Sequence, residues 1–128
     1  MHALVPGPTV LVVDDDEALR MLCRVNLELD GYRVLEASTL GAARATLRTE
    51  PVSVVLLDVH VGEEDGRTLL RGLREDEAPL SVVLFTGSSE VDERHRELAD
   101  GVLPKPFTLV ELSSLVARLA GGLESPTS

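Results

Sequence analysis

Four places along this sequence set a chemically capable side chain at the end of an apolar run. The run at 10–13 ends in Asp14, Asp15 and Asp16, that at 54–57 ends in Asp58, and that at 81–85 ends in Thr86; the short pair Val102 and Leu103 is followed, after Pro104, by Lys105. Crowded carboxylates repel one another unless a cation joins them. A small carboxylate set with room left for water and phosphate suits a hard cation, Mg²⁺ in preference to Ca²⁺. The Thr86 hydroxyl can contact a phosphoryl oxygen, and the Lys105 ammonium can offset charge on it. Brought together, Asp14, Asp15, Asp58, Thr86 and Lys105 make a phosphoryl-transfer site that works by positioning and electrostatics. Singly, each has a plain explanation: an acid at a strand end caps a helix, and a lysine before proline is solvated. The argument rests on their joint occurrence at four strand ends.

These residues converge only if the runs are parallel strands of one sheet. Thr9–Val13, Val54–Leu57 and Ser81–Phe85 are nearly continuous β-branched or aliphatic runs, as expected of strands buried on both faces. Arg33–Ala37 is less apolar, and Val102–Leu103 is short and abuts Pro104 and Pro106, so both belong at sheet edges. Amphipathic stretches alternate with the strands: Glu17–Leu29 stopped by Gly31, Leu40–Thr49 stopped by Pro51, Gly66–Glu75, Glu90–Leu98 stopped near Gly101, and Thr108–Ala120. Thr-Leu-Val-Glu at 108–111 is a capping box, and Gly121 is a stop. Five βα units with right-handed crossovers predict an α/β fold, a doubly wound parallel sheet with helices on both faces. Ligands of such folds sit beyond the carboxyl ends of the strands, where the strand order switches.

With 128 residues the chain has room for one domain, expected over 9–120, with flexible ends at 1–8 and 121–128. Aromatic residues are only 2%, which leaves an aliphatic core and no ring surface for stacking bases. A net charge of −10 without a Lys/Arg cluster argues further against nucleic-acid contact. Cys23 is the only cysteine, so no internal disulfide forms and the residue reads as core. No apolar run is long enough for a membrane span and no leader is evident, so a cytoplasmic protein is expected.

The motifs Val-Val-Asp-Asp at 12–15, Leu-Leu-Asp-Val-His at 56–60, Glu-Asp-Gly at 64–66, Phe-Thr-Gly at 85–87 and Leu-Pro-Lys-Pro-Phe at 103–107 are together specific. Through them nearly the whole chain resembles the response-regulator receiver family of two-component signalling. The resemblance implies a flavodoxin-like fold of strand order 2-1-3-4-5 with five helices, here as a stand-alone receiver. It implies Asp58 as phosphoacceptor, Asp15 as a direct Mg²⁺ ligand, Asp14 as a ligand acting mainly through water, and the His60 backbone carbonyl as the third protein ligand. Thr86 would be the switch hydroxyl, Lys105 the phosphate-contacting cation, and Lys105-Pro106 a cis peptide. The implied partners are a histidine kinase or histidine phosphotransfer protein and a downstream protein effector, and the chain would not be a turnover enzyme.

Three departures stand out from the family pattern. Val102 lies three before the lysine, where the family usually has Tyr or Phe, and the Thr86–Lys105 interval is short, implying a truncated loop or fourth helix. Gly62 stands where proline is common. Elsewhere, Asp16 and Glu17 read as caps of the first helix, Asp65 as a cap of the third, and Glu63 and Glu64 as solvated loop. The His60 side chain, His2 and His95 read as solvent-facing, as do Arg71, Arg74, Arg94 and Arg96. A phosphorylation-independent binding module of the same fold is the main alternative. A phosphatase working through an aspartyl-phosphate is the other; an acid two residues after Asp58 would be expected for it, and His60 is there instead.

Overall fold

The valine- and leucine-rich runs form a parallel sheet that no solvent reaches at its centre. The computed structural model describes residues 7–87 and 91–121. In chain order the elements are β1 (Thr9–Val13), α1 (Glu17–Leu29), β2 (Arg33–Ala37), α2 (Leu40–Thr49), β3 (Val54–Asp58), β4 (His60–Val61), β5 (Glu64–Asp65), α3 (Arg67–Glu75), β6 (Ser81–Thr86), α4 (Glu93–Leu98), β7 (Gly101–Pro104) and α5 (Leu109–Ala120). The main sheet runs β2-β1-β3-β6-β7 with every neighbouring pair parallel. Setting the small β4–β5 hairpin aside, this is the expected 2-1-3-4-5 order.

Alternation along each strand sends side chains to two cores. Leu11, Val13, Val55, Leu57, Val82 and Leu84 pack with Leu40 and Ala43 of α2 and Leu69 and Leu70 of α3. Val10, Val12, Val54, Leu56, Val83 and Phe85 pack with Cys23 and Leu27 of α1 and Leu112 and Val116 of α5. Each such side chain taken from water contributes roughly 1.5–3 kcal/mol. Cys23 is wholly buried, and burial pushes its thiol up to about 12, so it is a core residue as read.

The helix boundaries follow from local chemistry. Asp16 Oδ1 accepts the Ala18 and Leu19 amides at 3.0 and 3.2 Å and starts α1. Thr108 and Glu111 form the expected capping box of α5, at 2.8 and 3.0 Å, and Gly121 closes it at φ 72°. The start of α2 was only half legible. Thr39 caps it through the Ala42 amide, but the Leu40 amide donates to Glu64 Oε1 at 3.1 Å.

Glu64 is exposed, as read, but not in a loop: with Asp65 it forms β5, antiparallel to β4, around a turn at Gly62 with φ 63°. A two-residue hairpin turn wants a positive φ at that position, which glycine gives freely. Asp65 holds Arg67 rather than capping from the N-cap position, which Gly66 occupies. Its Oδ1 takes the Arg67 amide and Nε, both at 2.9 Å.

The fourth helix differs most from expectation. It has six residues and starts at Glu93; Glu90, its expected start, lies outside the described residues. His95 is buried, contrary to the sequence reading, with Nδ1 2.6 Å from Asp92 Oδ1 and Nε2 2.8 Å from Arg71 Nη1. Arg74 is likewise no solvated side chain, since it donates to the Leu98 and Leu80 carbonyls at 2.8 and 3.1 Å and pairs with Asp100. A helix this short cannot persist alone. It borrows its order from α3 through two arginines whose heads the spacing alone could not aim.

At the ends, Gly7 donates to Gly31 at 3.2 Å and Pro8 accepts from Arg33 at 3.1 Å, so the ordered chain begins before Thr9. His2 and the rest of the predicted tails lie outside the described residues, apart from Gly121.

Gly66 has the tightest steric requirement near the strand ends. A Cβ there would lie 2.1 Å from the Asp58 carbonyl oxygen, and its amide donates to Val59 O at 2.7 Å. Gly66→Ala should lower unfolding free energy by about 1–3 kcal/mol, as an overpacked core position does. Urea denaturation measures it, and an unchanged midpoint would refute the close approach.

Candidate functional site

β1, β3, β6 and β7 end at one edge, and the sheet register decides what meets there. Val13 pairs with Leu57, Asp58 with Phe85, and Thr86 with Pro104, so Asp14, Asp58, Thr86 and Lys105 fall side by side. Lys105 is seated from both sides. Its amide donates to Thr86 O at 2.7 Å, and two residues on the Phe107 ring packs on Phe85 with centroids 4.9 Å apart. The Lys105-Pro106 peptide is cis, as the resemblance implied.

From that seat the Lys105 ammonium reaches Asp58 Oδ2 at 2.8 Å and Asp14 Oδ2 at 3.4 Å. Asp58 Oδ1 accepts the His60 amide at 3.0 Å, which fixes the carboxylate plane. Asp14 is wholly buried and Asp58 is 8% exposed, whereas Asp15 lies open to solvent. One oxygen from each of Asp14, Asp15 and Asp58 lies within 4.8 Å of the others. Thr86 is buried beside them, and the His60 residue is exposed. All the candidates drawn from the sequence thus lie at one strand edge.

Electrostatics favours a cation here. Burial, aided by the neighbouring Asp58 charge, pushes Asp14 from an ordinary 3.8 up to about 6, against the Asp16 amide and Lys105, which pull it down. Burial opposes the Lys105 charge too, but the hydrogen bond to Asp58 and the two carboxylates outweigh it and hold its pKa above the ordinary value. One lysine among three acids leaves negative charge in excess. Three carboxylates, one buried and one open to water, are a hard-oxygen donor set that fits Mg²⁺ with part of its water shell retained.

Residues 10–117 match the response regulator receiver domain family. The chain belongs to that family. It is a receiver domain of two-component signalling. Among relatives, the receiver is 35% identical over 108 residues to the KDP operon transcriptional regulatory protein KdpE of Escherichia coli K12, covering 82% of this chain and 48% of that protein. It is 35% identical over 118 residues to the phosphate regulon transcriptional regulatory protein PhoB of Pseudomonas aeruginosa, covering 88% and 50%. The chain thus spans about half the length of these curated relatives. The response regulator protein TrrA of Thermotoga maritima, solved in complex with Mg²⁺–BeF, superposes with a TM-score of 0.80 at 25% identity, covering 88% of this chain and 98% of that one. Among the described residues, no helix of the receiver is long and apolar enough to cross a membrane.

One residue at the receiver's site escaped the sequence reading. Arg20 Nη1 donates to the Asp14 carbonyl at 2.7 Å from the first turns of α1. Only its spacing of one turn from the cap Asp16 could have hinted at it.

The raised Asp14 gives a pH signature in metal-free buffer. Because its folded pKa lies above the ordinary value, its contribution to stability is fully present below about pH 4 and is lost as pH rises through about 6. The loss should be about 3 kcal/mol by pH 7.5. Asp14→Asn should remove that slope, and Asp15→Asn should be no less stable than the parent, because it relieves repulsion. Thermal unfolding between pH 4 and 8, with and without Mg²⁺, measures both, and an Asp15→Asn protein less stable than the parent in the absence of metal would contradict this electrostatic account.

Proposed function

We propose that the chain is a phosphorylation-controlled receiver in which Asp58 takes a phosphoryl group from the phosphohistidine of a histidine kinase or histidine phosphotransfer protein, with Mg²⁺ as the accompanying cation. The observation that carries this reading is the Lys105 ammonium 2.8 Å from Asp58 Oδ2 with Asp14 and Asp15 alongside. An Asp58 carboxylate oxygen attacks phosphorus, the P–N bond breaks, and its electron pair leaves with the donor's imidazole. The product is an acyl phosphate on Asp58. Asp14, Asp15, Asp58 and the His60 carbonyl would hold Mg²⁺, whose chemistry is to neutralise charge on the phosphoryl oxygens. That TrrA was solved with Mg²⁺–BeF supports the choice of ion.

Lys105 then exchanges part of its pairing with Asp58 for a phosphoryl oxygen, and the Thr86 hydroxyl turns to another. A group of roughly −1.5 to −2 charge at the strand ends favours whichever arrangement of the loops after β3 and β6 brings Thr86 and Lys105 inward. A downstream protein effector reads that arrangement. The presence of all five side chains at one edge supports this reading over a phosphorylation-independent module, for which none of them is needed.

Acetyl phosphate or phosphoramidate with Mg²⁺ should add one phosphoryl group by intact mass, lost slowly and without sustained turnover. Asp58→Asn should take none; equal labelling of that protein would sink the assignment.

Val102 generates a second expectation. From β7 it pairs with Leu84 of β6 and offers no ring to fill space that Thr86 vacates. A modification shifts an equilibrium only by its differential interaction with the two states, and the missing ring removes one such difference on the β7 side. A beryllofluoride mimic should therefore perturb amides over 59–66 and 86–90 strongly and those near Val102 weakly. Amide shift mapping decides it, and a response dominated by β7 and α5 would show that valine transmits the change as an aromatic does.

A further inference from the structure

The main chain at Asp14 is held from the end of β2 in two ways. The Asp14 amide donates directly to Ala37 O at 3.1 Å. The Asp14 carbonyl accepts from Arg20 Nη1 at 2.7 Å, and Arg20 Nε is fixed by Glu36 Oε1 at 3.1 Å, Glu36 being the residue before Ala37. The other Glu36 oxygen takes Arg24 Nε at 2.7 Å, and Arg24 pairs with Glu28 at 3.6 Å. Arg20 is the least exposed member, with 15% of its side chain in solvent against 30% for Glu36 and 34% for Arg24.

We infer that Arg20 and Glu36 are positioning residues for the cation site, setting the direction of the Asp14–Asp15 turn without touching the cation. This rests on the proposed function for the identity of the site. Two features argue for the role. Asp15 is exposed and depends on its backbone for its aim toward Asp58, and that backbone is pinned at the Asp14 carbonyl by Arg20 alone among the described side-chain contacts. Charge is the second feature. An unpaired guanidinium beside the acids would repel a cation, and Glu36 cancels it, so the pair gives geometry without adding positive potential. An ordinary surface ion pair would need neither the carbonyl contact nor the second arginine on Glu36.

Partners that orient ligands typically cost tenfold or more in metal affinity when removed. Arg20→Met keeps the aliphatic stem and removes the donors. Calorimetric Mg²⁺ titration should show affinity falling by about tenfold, with phosphoramidate labelling of Asp58 restored at saturating Mg²⁺. Glu36→Gln should lose less, and the double variant no more than Arg20→Met, because both act through one contact. Arg33→Met, which breaks the remote Arg33–Glu50 pair, should leave Mg²⁺ affinity unchanged. In metal-free protein, hydrogen exchange at the Asp16 amide, which donates to Asp14 Oδ1 at 2.9 Å, should quicken in Arg20→Met. Parental Mg²⁺ affinity in folded Arg20→Met overturns the inference. If the parent binds no Mg²⁺, the proposed function fails on its own. The exchange rate then decides the positioning role: faster exchange upholds it and an unchanged rate overturns it. Should Arg20→Met not fold, Glu36→Gln reads the same two quantities.

Discussion

The buried carboxylate of Asp14 sets the terms for everything at the carboxyl edge of the sheet. A charge placed there without compensation would neutralise itself by taking up a proton, and the rise of its pKa to about 6 shows that pull. Its compensation comes from the Asp16 amide and the Lys105 ammonium, while Arg20 holds the Asp14 main chain. Lys105 can serve Asp14 and Asp58 together only because β1, β3, β6 and β7 end level with one another. The apolar strands therefore do more than fill a core. Their register fixes the distances on which the site's charge balance depends.

The same reasoning explains why the hairpin after Asp58 exists. The chain must leave β3, pass the acid and enter α3 without exposing unpaired amides. His60 spends its amide on Asp58 and Gly66 spends its own on Val59 O. Gly62 and Gly66 then serve unlike needs, one a backbone of positive φ and the other a contact with the Asp58 carbonyl that excludes any side chain. Glu64, carried on the hairpin, reaches across to Leu40 and ties this segment to the start of α2.

Strands, caps and the side chains that meet at the strand ends were legible because they are written in local chemistry. Continuous aliphatic runs, a Thr-x-x-Glu box and acids at run ends state their roles within a few positions. His95 and Arg74 were misread because exposure is decided by what a helix faces. A polar residue on a short helix looks solvated until a second helix supplies its partners. Arg20 was missed for a related reason, since its partner Asp14 follows β1 and its partner Glu36 lies on β2. Motifs in sequence space mark groups that act at strand ends, whereas the groups that orient them come from wherever the fold happens to bring a side chain of sufficient reach.

That distinction bears on how this receiver differs from its family pattern. The six-residue α4 cannot hold itself, and α3 holds it: Arg71 meets His95, and Arg74 joins the Leu98 carbonyl, the Leu80 carbonyl and Asp100. Asp100 in turn accepts the Val82 amide at 2.8 Å, which fastens the same cluster to the start of β6. Hydrogen bonds to charged groups contribute about 1.5–3 kcal/mol each, enough for this cluster to order a helix that propensity would leave unformed. At β7, Val102 stands where the family pattern has an aromatic, and Asp100, just before that strand, belongs to the Arg74 cluster. The fourth helix and the start of β7 are thus fastened to α3 by polar side-chain contacts, and the thinning of the family pattern falls on the ring that Val102 lacks.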